Sequence, residues 1–440
     1  MQHRQRRLPA ETPWQLTILV IAFALRCVAL HHFWGDLNTD PDIYLGLARQ
    51  MASGKGFSEV GGEAPTAFRP PLYPLLLTPV CGEDQQWGRA ALHLILSTIT
   101  FLGIWRIGRN LSLTPVQLGL ASLLYAFDPL SVRYVALPMT ETVCATLVTL
   151  LLVCLTESSS GRSSSLLTGL AFGLAVLSRP TFWIFGIVYF PIWLWTESKS
   201  LRADPTSGSP GHSLIPRIGY ASIGILVCVL PWVIRNAIVM KSPIVMTTHG
   251  GYTLLLGNNE AFYREVVNQP WGTIWDGTHG PGQEVWYQQV KQEAEQEGIT
   301  GEIAMDRWMA KKAQKAILEH PVDFLKACFL KFCWFWNLGP QAQGPEAHSL
   351  PPALLWAIRS GYLLFWSLGV IGLLKCLQAL WRKVPNARLW LAPIIMIGSL
   401  SFAHLVYWSD ARMRTPVTPA IALIAANSLA FWPRKTASHH

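Results

Sequence analysis

The chain has 440 residues and a mass of 49.0 kDa; 51 % of the residues are hydrophobic and only 14 % are charged. Soluble domains carry about 25 % charged residues, so this composition excludes a disordered chain, a fibrous repeat and a soluble disulfide scaffold. It predicts an integral membrane protein. The net charge of +9 would suggest a nucleic-acid partner on a soluble protein, but in a membrane protein basic residues also mark topology.

The N-terminal apolar run from Trp14 to Trp34 follows three arginines. It is too long for the apolar core of a signal peptide, so we expect a signal-anchor helix that stays in the protein. The eight cysteines form no C-x-x-C pair and lie mostly in apolar runs. This pattern predicts neither a zinc site nor a disulfide framework.

Ten apolar segments are predicted to span the membrane as helices, two of them shorter than the roughly 17 residues that a bilayer ordinarily requires. The breaker Arg179-Pro180 separates the fifth segment from the sixth. In chain order the segments are 15–34, 89–106, 110–127, 138–156, 163–178, 181–195, 218–234, 352–374, 389–409 and 415–432.

Basic residues cluster at the two termini and in alternate connections. If the spans alternate in direction, all of these clusters fall on one side, which the positive-inside rule makes cytoplasmic. We therefore predict a multi-pass protein of the inner (plasma) membrane with both termini cytoplasmic and no nucleic-acid partner. The clustered residues are Arg4, Arg6, Arg7, Arg106, Arg109, Lys199, Arg202, Arg217, Lys375, Arg382, Lys383, Arg388, Arg434 and Lys435.

Two extracytoplasmic segments, 35–88 and 235–351, are longer than turns. Amphipathic helices are predicted in both, including Gln283–Gln296 and a stretch that ends at Glu319. Two cytoplasmic segments, Ser158–Ser165 and 203–213, are predicted to be a flexible loop and a linker.

The segment Val322–Leu338 is apolar but carries Asp323, Lys326 and Lys331. If it spanned the membrane, the later basic connections would face outward. We therefore predict an interfacial or re-entrant helix.

Charged residues also lie at the outer ends of the spans, and the sequence allows two interpretations of the role of each. Asp40 either caps a helix that begins at Pro41 or acts as a base, and the two roles are compatible. Arg69, before Pro70, is either a lipid-headgroup anchor or a phosphate clamp. Glu141 is either an interfacial carboxylate at a helix start or a functional acid.

Arg412 and Arg414 lie on the outer side against the positive-inside bias, which favours an anionic ligand, although a local pair with Asp410 is the alternative. The loop around His249 is suited to contact a sugar, or it is an ordinary loop. His93 and His404 are lone residues in apolar spans and are expected to pack rather than bind metal.

Taken in order, these segments resemble the GT-C superfamily of polytopic membrane glycosyltransferases. The resemblance is greatest to the bacterial branch related to protein O-mannosyltransferases and the lipid A aminoarabinose transferase. It covers nearly the whole chain. The segments that carry it are D-x-x-x-Y from Asp40 to Tyr44, TAFRPPLYP (66–74), GLAFGLAVLSRP (169–180), PWVIRN (231–236), GGYTLLLGNN (250–259) and DARMRTPVTP (410–419).

The resemblance implies one all-α GT-C domain over residues 1–440 and transfer of a sugar from a polyprenyl-phosphate donor, with inversion, to an extracytoplasmic hydroxyl. The acceptor would be a lipid, a polysaccharide or a protein. No cofactor is implied; a divalent metal is not indicated, although Asp40 and Glu141 would be able to share one. We predict no large folded soluble domain after the last helix and therefore do not expect an oligosaccharyltransferase.

Site residues follow from the same resemblance. Asp40 would be the general base, and Arg69 would stabilise the leaving phosphate. The mannosyltransferases carry adjacent Asp-Glu where this chain has Asp40-Pro41-Asp42, so whether Asp42 assists stays open. The further substrate-contacting candidates are Tyr44, Glu141, Arg412 and Arg414.

Two other classes remain as alternatives. A transporter or lipid flippase would place its charges at the membrane midplane, where Arg26 is the main deep charge. A non-catalytic envelope scaffold would depend on the segment 235–350 rather than on Asp40 or Arg69.

Overall fold

The computed structural model describes residues 13–157, 161–203, 214–339 and 351–430. Several predicted features lie outside the described residues: the basic residues Arg4, Arg6, Arg7, Arg434 and Lys435, most of the 203–213 linker, and residues 158–160 of the serine-rich loop. Over the described ranges the chain is helical, and a single isolated bridge between Ser58 and Pro65 is the only β pairing.

The α-helices of the described residues are, in chain order, α1 Pro13–His32, α2 Tyr44–Ala52, α3 Leu72–Leu77, α4 Gln86–Asn110, α5 Pro115–Ala126, α6 Pro129–Arg133, α7 Glu141–Thr156, α8 Arg162–Ser178, α9 Phe182–Ala203, α10 Leu214–Val239, α11 Gly250–Leu256, α12 Glu260–Phe262, α13 Gly282–Gln296, α14 Glu302–Glu319, α15 Pro321–Phe335, α16 Pro352–Trp381, α17 Leu391–Val406 and α18 Thr418–Ala426.

Each of the ten predicted apolar segments forms a helix. Five stretches are long and apolar enough to cross a membrane, namely α1, α4, α10, α16 and the stretch Ala387–Val406 that contains α17. The apolar helices α5, α7 and α8 are shorter. The predicted all-helical integral membrane protein is confirmed, whereas the count of ten crossings stays a prediction.

The core is built around α7, whose residues are buried on nearly every side. By contrast, only 22 % of the most apolar stretch of α10, and the same share of that of α16, is buried inside the protein. These two helices therefore present apolar surface to lipid. Since α7 contacts protein all round and starts at Glu141, the bundle holds that acid at the centre of one end.

Helices α8 and α10 cross at very short range because glycines lie at the crossing. A Cβ atom at Gly169 would lie 2.0 Å from the carbonyl oxygen of Ala221, and one at Gly224 would lie 2.5 Å from that of Leu166. Small residues at such crossings let helix backbones pack closely within a bilayer.

The long outer segment folds into α11–α15 around a second apolar cluster. The predicted helices are confirmed, as α13 (Gly282–Gln296) and α14 (Glu302–Glu319). The buried members of the cluster include Leu255, Phe262, Trp275, Trp286, Met309 and Trp334.

Helix α15 is the segment predicted not to cross. Asn268 of the outer segment donates to Asp323 near its start (3.1 Å), and the carbonyl of Phe335 at its end accepts from Arg414 (2.8 Å). The buried Lys331 donates to the carbonyls of Gly257 (3.1 Å) and Val406 (3.0 Å), which end α11 and α17. A cation at the carbonyl ends of helices is favourable, which accounts for this lysine in an apolar helix.

Candidate functional site

Charged side chains from five separate connections meet at one end of the helix bundle. Each connection lies on the side predicted to be extracytoplasmic, and residues far apart in sequence come within hydrogen-bond distance there. The residues concerned are Asp42 and Arg69 from the first connection, Glu141, Arg179 and His249 from the next three, and Asp410 and Arg412 from the last. Asp40 lies beside them, two residues before Asp42.

Asp42 is the centre of this cluster. Its Oδ1 accepts from Arg69 Nη2 at 3.0 Å and its Oδ2 accepts from Arg412 Nη1 at 3.1 Å. Burial alone would raise the pKa of Asp42, but the two guanidinium groups hold that pKa below its ordinary value. Asp42 is therefore an ionised anchor that fixes both arginines.

Asp40 has a different environment two positions earlier. Its carboxylate accepts from the backbone N–H groups of Leu45 (3.0 Å) and Gly46 (2.6 Å), within the first turn of α2. Asp40 forms no ion pair with any residue that the structure describes, and burial raises the pKa of its carboxyl group. The geometry holds Asp40 in place without neutralising it.

The expected capping of a helix by Asp40 holds in part. The carboxylate does bond the N–H groups of a helix start, but α2 begins at Tyr44 rather than Pro41. Between them Ile43 adopts a left-handed backbone with φ of +60°, a strained conformation for a β-branched residue. Gly46 is required at the contact, since a Cβ there would lie 2.8 Å from Val60 and 3.2 Å from Asp40 Oδ2.

Arg69 is fixed on several sides. Besides Asp42, it donates from Nη1 to His249 Nε2 at 3.3 Å, and its Cζ lies 5.4 Å from the ring centroids of both Tyr44 and Phe68. Its Nε is buried and has no hydrogen-bond partner among the described residues. A guanidinium that is held in one orientation and is still partly exposed is suited to bind a phosphate oxygen.

His249, which the sequence left as either a sugar contact or a loop residue, lies against Arg69. Burial, and then the charge of Arg69, lower the pKa of this imidazole well below its ordinary value. Nε2 accepts from Arg69, so the neutral ring carries its proton on Nδ1, which is buried without a partner among the described residues. Tyr44 is also neutral, since burial raises its pKa to about 12.

Glu141 lies at the start of α7 and is fully buried. It pairs with Arg179 at 2.7 Å, and Arg179 also donates to the hydroxyl of Thr140 at 3.1 Å. Arg179 was not among the predicted site residues. The signal was present, because it is an arginine at the outer end of an apolar span, as Arg412 is.

The two arginines of the last connection have different partners. Arg412 pairs with Asp410 at 3.1 Å, as the local alternative expected, and with Asp42 as well. Arg414 belongs to a different network: it donates to the carbonyl of Phe335, and its Cζ lies 4.5 Å from the ring centroid of Tyr362. The structure therefore does not bring Arg414 to the cluster.

No group of three or more His, Cys, Asp or Glu side chains suited to a metal ion occurs in the ranges that the structure describes. Glu141 is bonded to Arg179, and Asp40 to backbone N–H groups. His93 packs as expected: its ring nitrogens contact the Tyr73 hydroxyl at 2.8 Å and the Val135 carbonyl at 2.7 Å.

Comparisons with known proteins agree with this architecture. Residues 69–209 match the family model described as dolichyl-phosphate-mannose-protein mannosyltransferase. No curated protein matches the chain by sequence.

Three solved structures are similar to this chain to different extents. The apo oligosaccharyltransferase of Archaeoglobus fulgidus is 15 % identical with a TM-score of 0.51, covering 94 % of this chain and 50 % of that one. The AglB complex with an inhibitory peptide and dolichol-phosphate, from the same organism, is 12 % identical (TM-score 0.48, coverage 94 % and 50 %). ArnT of Cupriavidus metallidurans bound to undecaprenyl phosphate is 12 % identical (TM-score 0.42, coverage 95 % and 78 %).

The chain spans half the length of the archaeal oligosaccharyltransferase whose fold it shares. The family model covers the second to sixth apolar segments, including Arg69, Glu141 and Arg179. In sequence over residues 69–209 and in overall fold, the chain is therefore similar to the polytopic membrane glycosyltransferases of the GT-C superfamily.

Proposed function

We propose that the chain transfers a sugar from a polyprenyl-phosphate donor to an acceptor hydroxyl at the extracytoplasmic face, with inversion and with Asp40 as the general base. The observation that carries this proposal is the juxtaposition in one cluster of two kinds of group. One is a fixed carboxylate without a counter-ion, Asp40; the other is a set of rigid arginines around Asp42. The name of the matching family, which specifies a lipid-phosphate sugar, supports the donor class.

In the proposed reaction Asp40 takes the proton of the acceptor hydroxyl while the oxygen of that hydroxyl attacks the anomeric carbon of the donor sugar. The bond from that carbon to the phosphate oxygen breaks, and its electron pair leaves with polyprenyl phosphate. Because negative charge accumulates on the leaving oxygen, fixed cationic donors lower the barrier. The partly exposed guanidinium of Arg69 supplies this positive charge, and Asp42 keeps Arg69 and Arg412 oriented. Glu141 and Tyr44 are proposed to contact substrate.

An apolar groove of about 440 Å³ runs beside this end of the bundle. It lies between the first outer connection and α10, and two of its lining residues, Leu75 and Val239, are also exposed at the surface. We assign the polyprenyl chain to this groove. Its lining includes Met51, Phe57, Pro65, Pro71, Leu75, Trp232 and Val239.

The site is assigned to the extracytoplasmic face of the inner membrane, with cytoplasmic termini. This orientation is supported by the basic residues at the opposite ends of the same helices, including Arg106, Arg109, Arg217, Lys375 and Arg388.

The test is transfer of label from a panel of radiolabelled polyprenyl-phosphate sugars, using membranes that contain wild-type protein, Asp40→Asn or Glu83→Gln. Glu83 is a control in the same connection; it is exposed and does not line the groove assigned to the polyprenyl chain. We expect wild type and Glu83→Gln to transfer label, and Asp40→Asn to lose about 10²–10⁴-fold in rate. The donor from which label is transferred identifies the sugar.

Equal transfer by wild type and Asp40→Asn would contradict Asp40 as the base. Absence of transfer from every donor, together with flux of lipid or solute in proteoliposomes, would favour the transporter class instead.

A further inference from the structure

Glu302, the first residue of α14, joins two segments that are far apart in the chain. Its Oε2 accepts from the hydroxyl of Thr66, and its Oε1 accepts both from the hydroxyl of Thr248 and from the backbone N–H of Ala67 at 2.8 Å. Thr66 and Thr248 are only 2 % and 5 % exposed. One carboxylate from the long outer segment therefore satisfies three donors at a buried junction.

The two joined segments carry the groups that contact each other in the site. Arg69 follows Thr66 by three residues, and His249 directly follows Thr248. The segments also bond directly, since Thr248 N–H donates to the Ala67 carbonyl at 3.0 Å. The Arg69–His249 contact of 3.3 Å is thus made by two loops whose relative position depends on this junction.

The junction is itself anchored on both sides. Arg235, at the outer end of α10, donates to the carbonyl of Thr66 at 2.7 Å. On the other side, Asp306 of α14 accepts from the N–H of Gly251 at 2.6 Å. A Cβ at Gly251 would lie 1.9 Å from the carbonyl oxygen of Asp306, so α14 and the start of α11 pack at backbone contact. These contacts restrict how far the backbone around Glu302 can move to compensate if its carboxylate is lost.

We propose that Glu302 is a positioning residue that sets Arg69 against His249 for the donor phosphate, and so links the long outer segment to donor binding. The inference rests on the proposed function, in which Arg69 contacts that phosphate. A carboxylate is needed because all three partners are donors. A glutamine would keep one acceptor oxygen and would turn an N–H₂ group towards donors, leaving buried groups unsatisfied.

The first test compares Glu302→Gln with Glu319→Gln in the full-length membrane protein. Glu319 is a matched control at the other end of α14, where it is 48 % exposed and pairs only with Lys315. We expect Glu302→Gln to raise KM for the polyprenyl-phosphate sugar roughly tenfold, the effect of losing about one hydrogen bond to a charged group. The change in kcat should stay below about twofold, because Asp40 is untouched.

Threonine variants separate positioning from general destabilisation. Thr66→Val and Thr248→Val each remove one hydrogen-bond donor and should raise KM in the same way. Thr66→Ser and Thr248→Ser keep the hydroxyl group, so their KM should stay at the wild-type value. A fall in kcat and in thermal stability at unchanged KM would overturn the inference, since that is the result of a purely structural role.

Hydrogen exchange separates this inference from the proposed function. We expect Glu302→Gln, but not Glu319→Gln, to speed backbone exchange in residues 66–69 and 247–251. Unchanged exchange would refute the junction whatever the transfer assay shows. If the wild type transfers no sugar and binds no polyprenyl phosphate, the proposed function fails, and the role of Glu302 in donor binding falls with it even where exchange is faster.

Discussion

Asp40 and Asp42 are separated by one proline, yet the fold gives them opposite electrostatic environments. Asp42 faces two guanidinium groups, which hold its pKa below the ordinary value despite burial. Asp40 faces only backbone N–H groups, and burial raises its pKa. A base must be ionised but not neutralised by a counter-ion, so Asp40 is the better suited of the two. The contacts of the two side chains therefore favour Asp40 as the proposed base and Asp42 as the anchor of the two arginines.

Replacing Asp42 should affect stability as well as transfer. Asp42→Asn leaves Arg69 and Arg412 partly buried without their shared counter-ion, so we expect the free energy of unfolding to fall by about 2–3 kcal/mol. Because the pKa of Asp42 is lowered by folding, this stabilisation is complete above the unfolded pKa of about 3.9 and is lost as pH falls through the lower folded-state pKa.

The measurement is thermal unfolding of purified wild type, Asp42→Asn and Glu83→Gln at neutral and acidic pH. The difference between wild type and Asp42→Asn should be large at pH 7 and should shrink on acidification below pKa values typical of carboxylates, while Glu83→Gln follows wild type throughout. A difference that grows on acidification would mean that Asp42 is not held as an ion pair.

At the scale of elements, the close crossing of α8 and α10 shapes this side of the bundle. Arg179, immediately after α8, reaches Glu141 only if α8 packs closely against α7, and α10 bears Arg235 at its outer end. The glycines at the α8–α10 crossing do not contact the site themselves. They nevertheless affect the position of Arg179 in the site and of Arg235 beside it.

Gly169→Ala should destabilise this crossing. The added methyl group would meet a backbone carbonyl oxygen, which cannot move aside as a side chain can, so we expect a loss of about 1–3 kcal/mol in the free energy of unfolding. Gly219→Ala in α10 is the matched control, because a Cβ there meets nothing within 4 Å and alanine is the better helix former. Thermal unfolding in detergent measures both; equal stability of the two variants would contradict the close crossing.

At the scale of the whole molecule, the site restricts the topology. Arg69 and Arg412 both bond Asp42, so they lie at the same end of the bundle. The predicted crossings between them are α4, α5, α7, α8, α9, α10, α16 and α17, an even number. A crossing by α15 would make the number odd and separate the two arginines, so contact geometry supports the prediction that α15 does not cross.

Labelling with a membrane-impermeant thiol reagent tests this topology in intact cells. Above the background of the native cysteines, we expect Ser53→Cys after α2 and Thr300→Cys before α14 to react from outside. Ser112→Cys, in the connection between α4 and α5, should react only after the membrane is permeabilised, because it lies at the opposite end. Labelling of Thr300→Cys only after permeabilisation would refute the shared outer face.

The amino-acid sequence by itself determined the membrane class and the positions of the helices, and it predicted the side of the membrane on which the charged residues lie. The reason is that these properties depend on local hydropathy, on breakers such as Arg179-Pro180 and on the distribution of basic residues. The sequence also marked Asp40, Arg69, Glu141 and Arg412, because ionisable groups at the ends of apolar spans are costly.

Only the tertiary structure decided which charges meet. Asp42 and Arg412 are 370 positions apart, and Arg412 and Arg414, two positions apart, face different networks because the short helical turn between them points one towards Asp42 and the other towards Tyr362. Glu302 has no distinguishing sequence pattern. Its importance comes from the two loops that it joins, and such contacts depend on how the helices pack rather than on any local property of the chain.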